Sequence, residues 1–293
     1  MRKFLPLCTL CGLFSVGYTT FDSEAVAGAN ETKPKTENIV FADAVVKATC
    51  VSAFDTNGDG ELSYEEAAKV TSIPSDFFGE NRREISTFNE LQYFTNLQVI
   101  KDEAFHSSNL CQIIIPEGVT HIGYKAFQYT NIASIVIPNS VKTMGDATFF
   151  CCWNLHDVTL SKNLTSIPNS AFEFTNLQCI IIPDSVKSIN DRAFANCNAL
   201  IEVTIPSSVA AIGPGAFYSC ENLKVIYCKS VTPPALDNEY ESNYNCTMSN
   251  DTGILGRAKK YFKIYVPKES VKAYKKGRNW KHYSKNIEGY DFK

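Results

Sequence analysis

Past residue 18 the chain has no apolar run long enough to cross a bilayer as a helix, which needs about 20 residues. It is poor in methionine (3), tryptophan (2) and histidine (4). His106, His121, His156 and His282 are scattered, with no spacing that would hold a metal. G-x-S-x-G, H-E-x-x-H and P-loop motifs are all missing. These absences direct the reading toward a binding protein and not an enzyme. A net charge of -3 points on average to neither nucleic acid nor membrane.

What is present is unevenly placed. From Phe21 to Ile100, fourteen acids face six bases; from Arg257 to Lys285, eleven bases face one acid, Glu269. Arg2 and Lys3 precede an apolar stretch, Phe4 to Tyr18, and Ala25-Val26-Ala27 follows as a small-x-small cleavage site. This order reads as a secretory signal over 1–27, with a mature start near Gly28. Leucine precedes both Cys8 and Cys11, which argues against a lipid anchor. Eleven cysteines look like a disulfide framework for an exported chain, although removal of the leader would leave nine, an odd number.

Self-similarity explains most of the rest. Units begin at Ile100, Ile122, Met144, Ile167, Ile189 and Ile212, each 22 or 23 residues from the next. Each reads I-x-x-x-A-F-x-x-[STC]-x-L-x-x-I-x-I-P-x-x-V-x-x. The L-x-x-I-x-I segments predict short strands, such as Leu110/Ile113/Ile115 and Leu200/Val203/Ile205, with their last two aliphatics facing inward. Pro116, Pro138, Pro183 and Pro206 end most of these strands because proline brings no N–H to a ladder. Phe105, Phe127, Phe149, Phe172, Phe194 and Phe217 fill the opposite side. One unit cannot bury its own apolar face, whereas a stack can. The expected fold is a repeat solenoid. It has a parallel sheet on one face, loops and turns on the other, and a small helical N-terminal cap.

A small residue follows three places after each phenylalanine: Ser108, Thr130, Cys152, Thr175, Cys197 and Cys220. Cysteine here reads as a small buried side chain, although pairing of Cys197 with Cys220, one repeat apart, is conceivable. Cys151-Cys152 beside Trp153 and His156 superficially suggests a thiol nucleophile. Cys152 nevertheless belongs to the core column.

This pattern resembles the BspA-like leucine-rich-repeat family of bacterial surface proteins, over about Ser86 to Phe292. Leu160-Ser161 in the third unit departs from the Ile-Pro ending. The resemblance implies export, a place on the bacterial surface or outside the cell, and attachment to host matrix proteins or other cells.

Asp55 to Glu66 matches an EF-hand calcium loop. Asp55, Asn57 and Asp59 stand at loop positions 1, 3 and 5, and Gly60 at the sharp turn. Glu61 offers its backbone carbonyl at position 7, Ser63 stands at position 9, and Glu66 at position 12. Phe41 to Phe54 reads as the incoming helix and Tyr64 to Val70 as the outgoing one. No second loop is visible, and because extracellular calcium modules bind weakly and stay occupied, a structural Ca2+ pinning the cap is favoured over a regulatory switch. Similar loops precede the repeats in some BspA-like proteins.

The expected division is therefore 28–85 as N-terminal cap with the loop at 55–66, 86–232 as solenoid, and 233–293 as C-terminal cap. The last of these holds a polar insertion from Ala235 to Gly256. Strand alternation predicts an outward row of Ile114, Val136, Thr159, Ile181, Thr204 and Tyr227. Beside it runs a second row: Gln112, Ser134, Asp157, Cys179, Glu202 and Val225. The first row is the expected site for a protein ligand on host matrix or another cell surface. The alternatives are a glycan- or polyanion-binding module using the basic C-terminal cap, and a purely structural surface protein. Nucleic acid is not an expected partner.

Overall fold

Side-chain alternation and the proline stops shape each unit into one turn of a coil. The computed structural model describes residues 37–236 and 262–292. The leader at 1–27 and nearly all of the polar insertion lie outside the described residues. Strands are numbered in chain order. The L-x-x-I-x-I segments form β2 (Thr87–Phe88), β4 (Gln112–Ile113), β6 (Ser134–Val136), β8 (Asp157–Thr159), β10 (Cys179–Ile181), β12 (Glu202–Ile205) and β14 (Val225–Cys228). Two strands from the C-terminal region, β16 (Lys263–Pro267) and β17 (Ile287–Tyr290), continue this face. All paired strands are parallel; within the units they pair in register one repeat apart, as in Val136 with Thr159 and Thr204 with Tyr227, and β14 pairs with β16 across the insertion, as in Tyr227 with Tyr265.

The other side was expected to hold loops and turns, and it does. It also carries two further four-stranded parallel ladders of two-residue strands. One is β1 (Ser72–Ile73), β3 (Val99–Ile100), β5 (His121–Ile122) and β7 (Thr143–Met144); the other is β9 (Ser166–Ile167), β11 (Ser188–Ile189), β13 (Ala211–Ile212) and β15 (Ala235–Leu236). The proline between the two strands of a unit makes the corner. Its carbonyl accepts from the valine N–H three residues on, as in Val119 to Pro116 (3.1 Å) and Val141 to Pro138 (3.0 Å). Ser161 keeps this corner without proline. Leu164 N–H bonds its carbonyl (3.2 Å), and its buried hydroxyl donates to the Val141 carbonyl (2.6 Å).

The A-F turn adds a third set of inter-repeat bonds. Glu103, Phe105 and Ser107 N–H donate to the carbonyls of Tyr124, Ala126 and Gln128, and the pattern recurs in the following repeats. It requires two left-handed residues per turn. They are Glu103 and Ser107, Lys125 and Tyr129, Ala147 and Cys151, Ser170 and Phe174, Arg192 and Asn196, then Gly215 and Ser219. Only one of these twelve is glycine.

Inside, the phenylalanines form a continuous stack. Phe127, Phe149, Phe172, Phe194 and Phe217 follow at centroid spacings of 5.2, 5.5, 5.5 and 5.4 Å, with ring planes within 8°. Phe105 joins at 5.3 Å. The small-residue column closes each turn. Thr130 and Thr175 donate to the carbonyls of Phe127 and Phe172, while Cys152, Cys197 and Cys220 thiols donate to those of Phe127, Phe172 and Phe194. Helices α1 (Ala44–Phe54) and α2 (Tyr64–Lys69) pack on the first turns, where Phe54 stacks on Phe77 at 5.5 Å. A third helix, α3 (Val271–Lys276), lies near the other end.

Candidate functional site

The acidic loop between α1 and α2 is held by its own side chains. Asp43 caps α1, accepting from Val45 and Val46 N–H, and ties the helix to Ser86 N–H (2.9 Å). Burial pushes the Asp43 carboxyl up, but these bonds outweigh it and hold it below its ordinary value. Asp55 Oδ1 accepts from Gly58 N–H (2.7 Å) and Oδ2 from Gly60 N–H (2.9 Å). Asn57 Oδ1 accepts from Asp59 N–H and Asp59 Oδ1 from Glu61 N–H. Gly58 and Gly60 take the left-handed backbone (φ 75° and 80°) that the turn needs.

Glu66 is buried and doubly engaged. One oxygen accepts from Thr56 N–H, Thr56 hydroxyl and Asn57 N–H; the other accepts from Ser63 N–H and hydroxyl. Ser63 in turn caps Glu66 N–H, completing a capping box. Donation from Ser63 N–H, opposed by burial and helped by Thr56, brings the carboxyl down to about 2. Of the six expected ligands, Asn57, Asp59, Ser63 and Glu66 line one cavity of about 330 Å3, together with Asn38, Thr56, Glu65 and Lys69. Asp55 and Glu61 are not in that lining, and the Glu61 carboxylate pairs with Lys47 at 2.6 Å. Among the described residues, no three His, Cys, Asp or Glu side chains stand close enough to hold a metal as placed. The donors are nonetheless hard oxygens in the order calcium takes.

The solitary loop has a partner of another kind. Ile39 N–H bonds the Leu62 carbonyl (2.8 Å) and Tyr64 N–H bonds the Glu37 carbonyl (3.1 Å), so residues 37–39 form a bridge along the loop's edge.

On the sheet face, Val136 and Ile181 are the most open of the predicted row at 63% and 65%, and Ile114 is 37% exposed. Thr159 is exposed, while Thr204 and Tyr227 are half-buried. The second row is less uniform than alternation implied. Gln112, Ser134 and Asp157 are exposed, Val225 is half-buried, Glu202 is buried, and Cys179 is disulfide-bonded. Alternation sets the direction of a side chain, but neighbours decide its exposure.

Sequence reasoning missed the cluster that closes this face. Tyr227 stacks on Tyr265 (5.4 Å) and meets Tyr290 (5.3 Å) and Phe292 (6.3 Å). Burial, then the Glu202 carboxylate, pushes the Tyr227 phenol up to about 12. It also missed an exposed ring group on the turn side, where Tyr129 contacts Phe150 and Trp153, and Phe150 contacts Phe174.

The thiols are poorly suited to nucleophilic chemistry. Cys152 is fully buried and Cys151 nearly so, and burial pushes both thiols up to about 11, so they remain protonated at neutral pH. His156 Nδ1 is engaged with the Asn154 carbonyl (3.0 Å). The pairing considered for Cys197 with Cys220 does not occur: both are free, each donating to a phenylalanine carbonyl.

The chain matches the family described as BspA type leucine rich repeat region in six copies, over residues 71–201 and 165–249. It belongs to that family. No curated protein matches it. Similar solved structures include a leucine rich repeat protein of T. pallidum, with 27% identity, 44% of this chain, 62% of that chain and a TM-score of 0.40. A leucine rich cell surface protein of Faecalibacterium prausnitzii gives 20% identity, 48% and 62% coverage and a TM-score of 0.30. A leucine-rich repeat protein of Bacteroides ovatus gives 17% identity, 80% and 90% coverage and a TM-score of 0.25. This BspA-type chain thus spans less than two thirds of the first two relatives' length. Among the described residues no helix is long and apolar enough to cross a membrane.

Proposed function

We propose that this BspA-type protein is exported to the bacterial surface or beyond it, and that it attaches to a protein on host matrix or another cell. The sheet face would make the contact. One observation carries this reading: Ile114, Val136 and Ile181 stand open to solvent in a single row. Neighbouring strands lie about 4.8 Å apart, so the five steps from Ile114 to Tyr227 cover about 24 Å. That length suits a protein interface, and an exposed apolar stripe is the usual mark of one. The half-buried aromatic group at Tyr227 supports the reading, because tyrosines partly held by neighbours make strong interface anchors.

Calcium at Asp55 to Glu66 belongs to the same proposal, as a structural ion. Asp55, Asn57, Asp59 and Glu66 side chains, Ser63 and the Glu61 carbonyl would hold it, drawing Glu66 away from Thr56 and Ser63. Affinity near 10⁻⁴–10⁻³ M is of the order known for extracellular modules. At about 2 mM calcium it would stabilise the fold by about 0.6–1.8 kcal/mol. Melting should therefore rise with calcium and fall with chelator, and Glu66→Gln should abolish the difference.

The sheet-face test uses immobilised extracellular-matrix proteins and a folded Ile114→Asp/Val136→Asp/Ile181→Asp variant. Loss of saturable binding with unchanged melting is expected. Equal affinity in the folded variant would move the contact elsewhere.

A further inference from the structure

The basic end of the molecule has a separate use. Lys272, Lys275, Lys276, Arg278, Lys281 and Lys285 are all exposed, within fourteen residues. None of the six has an ion-pair partner among the described residues. Two acids of this region are taken by other lysines, Glu288 by Lys263 and Asp291 by Lys268, and Glu269 is the one acid among the eleven bases from Arg257 to Lys285. Lys272, Lys275 and Lys276 share one face of α3, since residues three and four apart are neighbours on a helix about 5–6 Å apart. That spacing is shorter than the Debye length of about 8 Å at physiological salt, so these three cations act on an approaching anion as one patch, and the turn that carries Lys281 packs against the same helix.

What holds the segment in place decides the kind of anion. In sequence the cations alternate with aromatic residues, a pattern open to reading as a base-stacking surface. The structure turns two of those rings inward, and the third, Tyr283, is half-buried with its ring edge-on to Phe262 at 6.1 Å. Tyr274 is fully buried and its hydroxyl donates to the Ser230 carbonyl (2.8 Å). Trp280 is 1% exposed and its indole N–H donates to the Pro234 carbonyl (2.7 Å). Stacking on single-stranded nucleic acid needs an open ring face, and interfacial anchoring in a bilayer needs an open Trp, Phe or Leu. The segment offers neither Tyr274 nor Trp280 for such use. What it does offer is a dense set of flexible ammonium groups, enough for a polymer whose recognition rests on charge density. The acidic first third of the chain would repel such a polymer and steer it to this end.

We propose that this cap is a binding site for a linear sulfated polysaccharide, held by Lys272, Lys275, Lys276, Arg278, Lys281 and Lys285 and independent of the sheet face. Each bound cation releases a condensed counterion, at roughly 0.7 per charge for a flexible chain. Six cations give a slope of about -4 for log affinity against log salt, which is about a 250-fold loss from 50 to 200 mM.

The probe is immobilised heparin, with chemically desulfated heparin as control. The purified full chain is compared with Lys272→Gln/Lys275→Gln/Lys276→Gln/Lys281→Gln. The steep slope is expected for the parent. The variant should keep its melting temperature, bind on the order of 10³-fold more weakly at 50 mM salt, and show a slope near -1.4, about 0.7 for each of two remaining cations. The sheet-face triple variant should bind heparin as the parent does, so the two readings fail separately. Unchanged heparin binding by the quadruple variant would overturn the proposal, as would equal binding to desulfated heparin or none to heparin. Competition by oligo(dT) or phosphatidylserine vesicles at lower charge concentration than heparin would replace the polysaccharide with that partner.

Discussion

Replacing Phe149 with leucine tests whether the phenylalanine column acts as a stack or as mere filling. Phe149 is fully buried, with Phe127 at 5.2 Å and Phe172 at 5.5 Å, the ring planes within 5° and 8°. Leucine keeps most of the apolar volume but loses both ring contacts. Such contacts are worth roughly 0.5–1.5 kcal/mol each beyond burial, so Phe149→Leu should cost about 2 kcal/mol. Phe217 ends the column. Among the described residues its ring contacts Phe194 alone, so Phe217→Leu should cost about 1 kcal/mol. Phe149→Ala opens a cavity as well and should cost about 3–5 kcal/mol. A chain of this size loses about 2–4 °C per kcal/mol. Scanning calorimetry should then show losses of about 6 °C for Phe149→Leu and about 3 °C for Phe217→Leu. Equal losses at the two positions, or none at Phe149, would refute a stack with nearest-neighbour energetics.

Three further outcomes are expected. A Cβ at Gly145 would lie 2.3 Å from the Tyr124 backbone nitrogen of the preceding turn, so Gly145→Ala should destabilise by about 1–3 kcal/mol, read from thermal melts. Asp43, with its lowered carboxyl value, contributes stability in full above its ordinary 3.8 and loses it as pH falls through its native value. The stability gap between parent and Asp43→Ala, about 1 kcal/mol near neutrality and read from thermal melts, should therefore shrink on acidification below 3.8. A gap that does not shrink would rule out the carboxylate as the cap. Among the described free thiols, Cys111 is exposed while Cys50, Cys152, Cys197, Cys220 and Cys228 are buried. A thiol reagent at pH 8 should label Cys111 at once and those five only on unfolding, which mass spectrometry of peptides resolves.

Much of this architecture was readable from single columns. The phenylalanine, proline-valine and small-residue columns each recur at one spacing, and each has one physical job. The two-residue strands from Ser72–Ile73 to Ala235–Leu236 were not readable, because alternation needs more than two residues to register. The left-handed turns were hidden for another reason: residues such as Lys125, Phe174 and Arg192 lack the glycine or asparagine that signals positive φ. Tyr227 was placed in the open row, but the rings that half-cover it come from Tyr265, Tyr290 and Phe292, well separated in sequence. The acidic loop's ligand order was plain, whereas the competing donors on Glu66 come from the fold. Thr56 carries no calcium-loop signature and yet gives that carboxylate two bonds.

The twelve left-handed turn positions bear on how such a chain can diversify. Glycine in those places would leave the turn side nearly bare. Here eleven carry side chains, at a conformational cost of roughly 1–2 kcal/mol each that inter-repeat bonding must offset. Tyr129, Phe174, Lys125 and Arg192 occupy four of them. The array thus has a second wall whose chemistry can be rewritten one repeat at a time, in columns where substitution leaves the stacked core untouched.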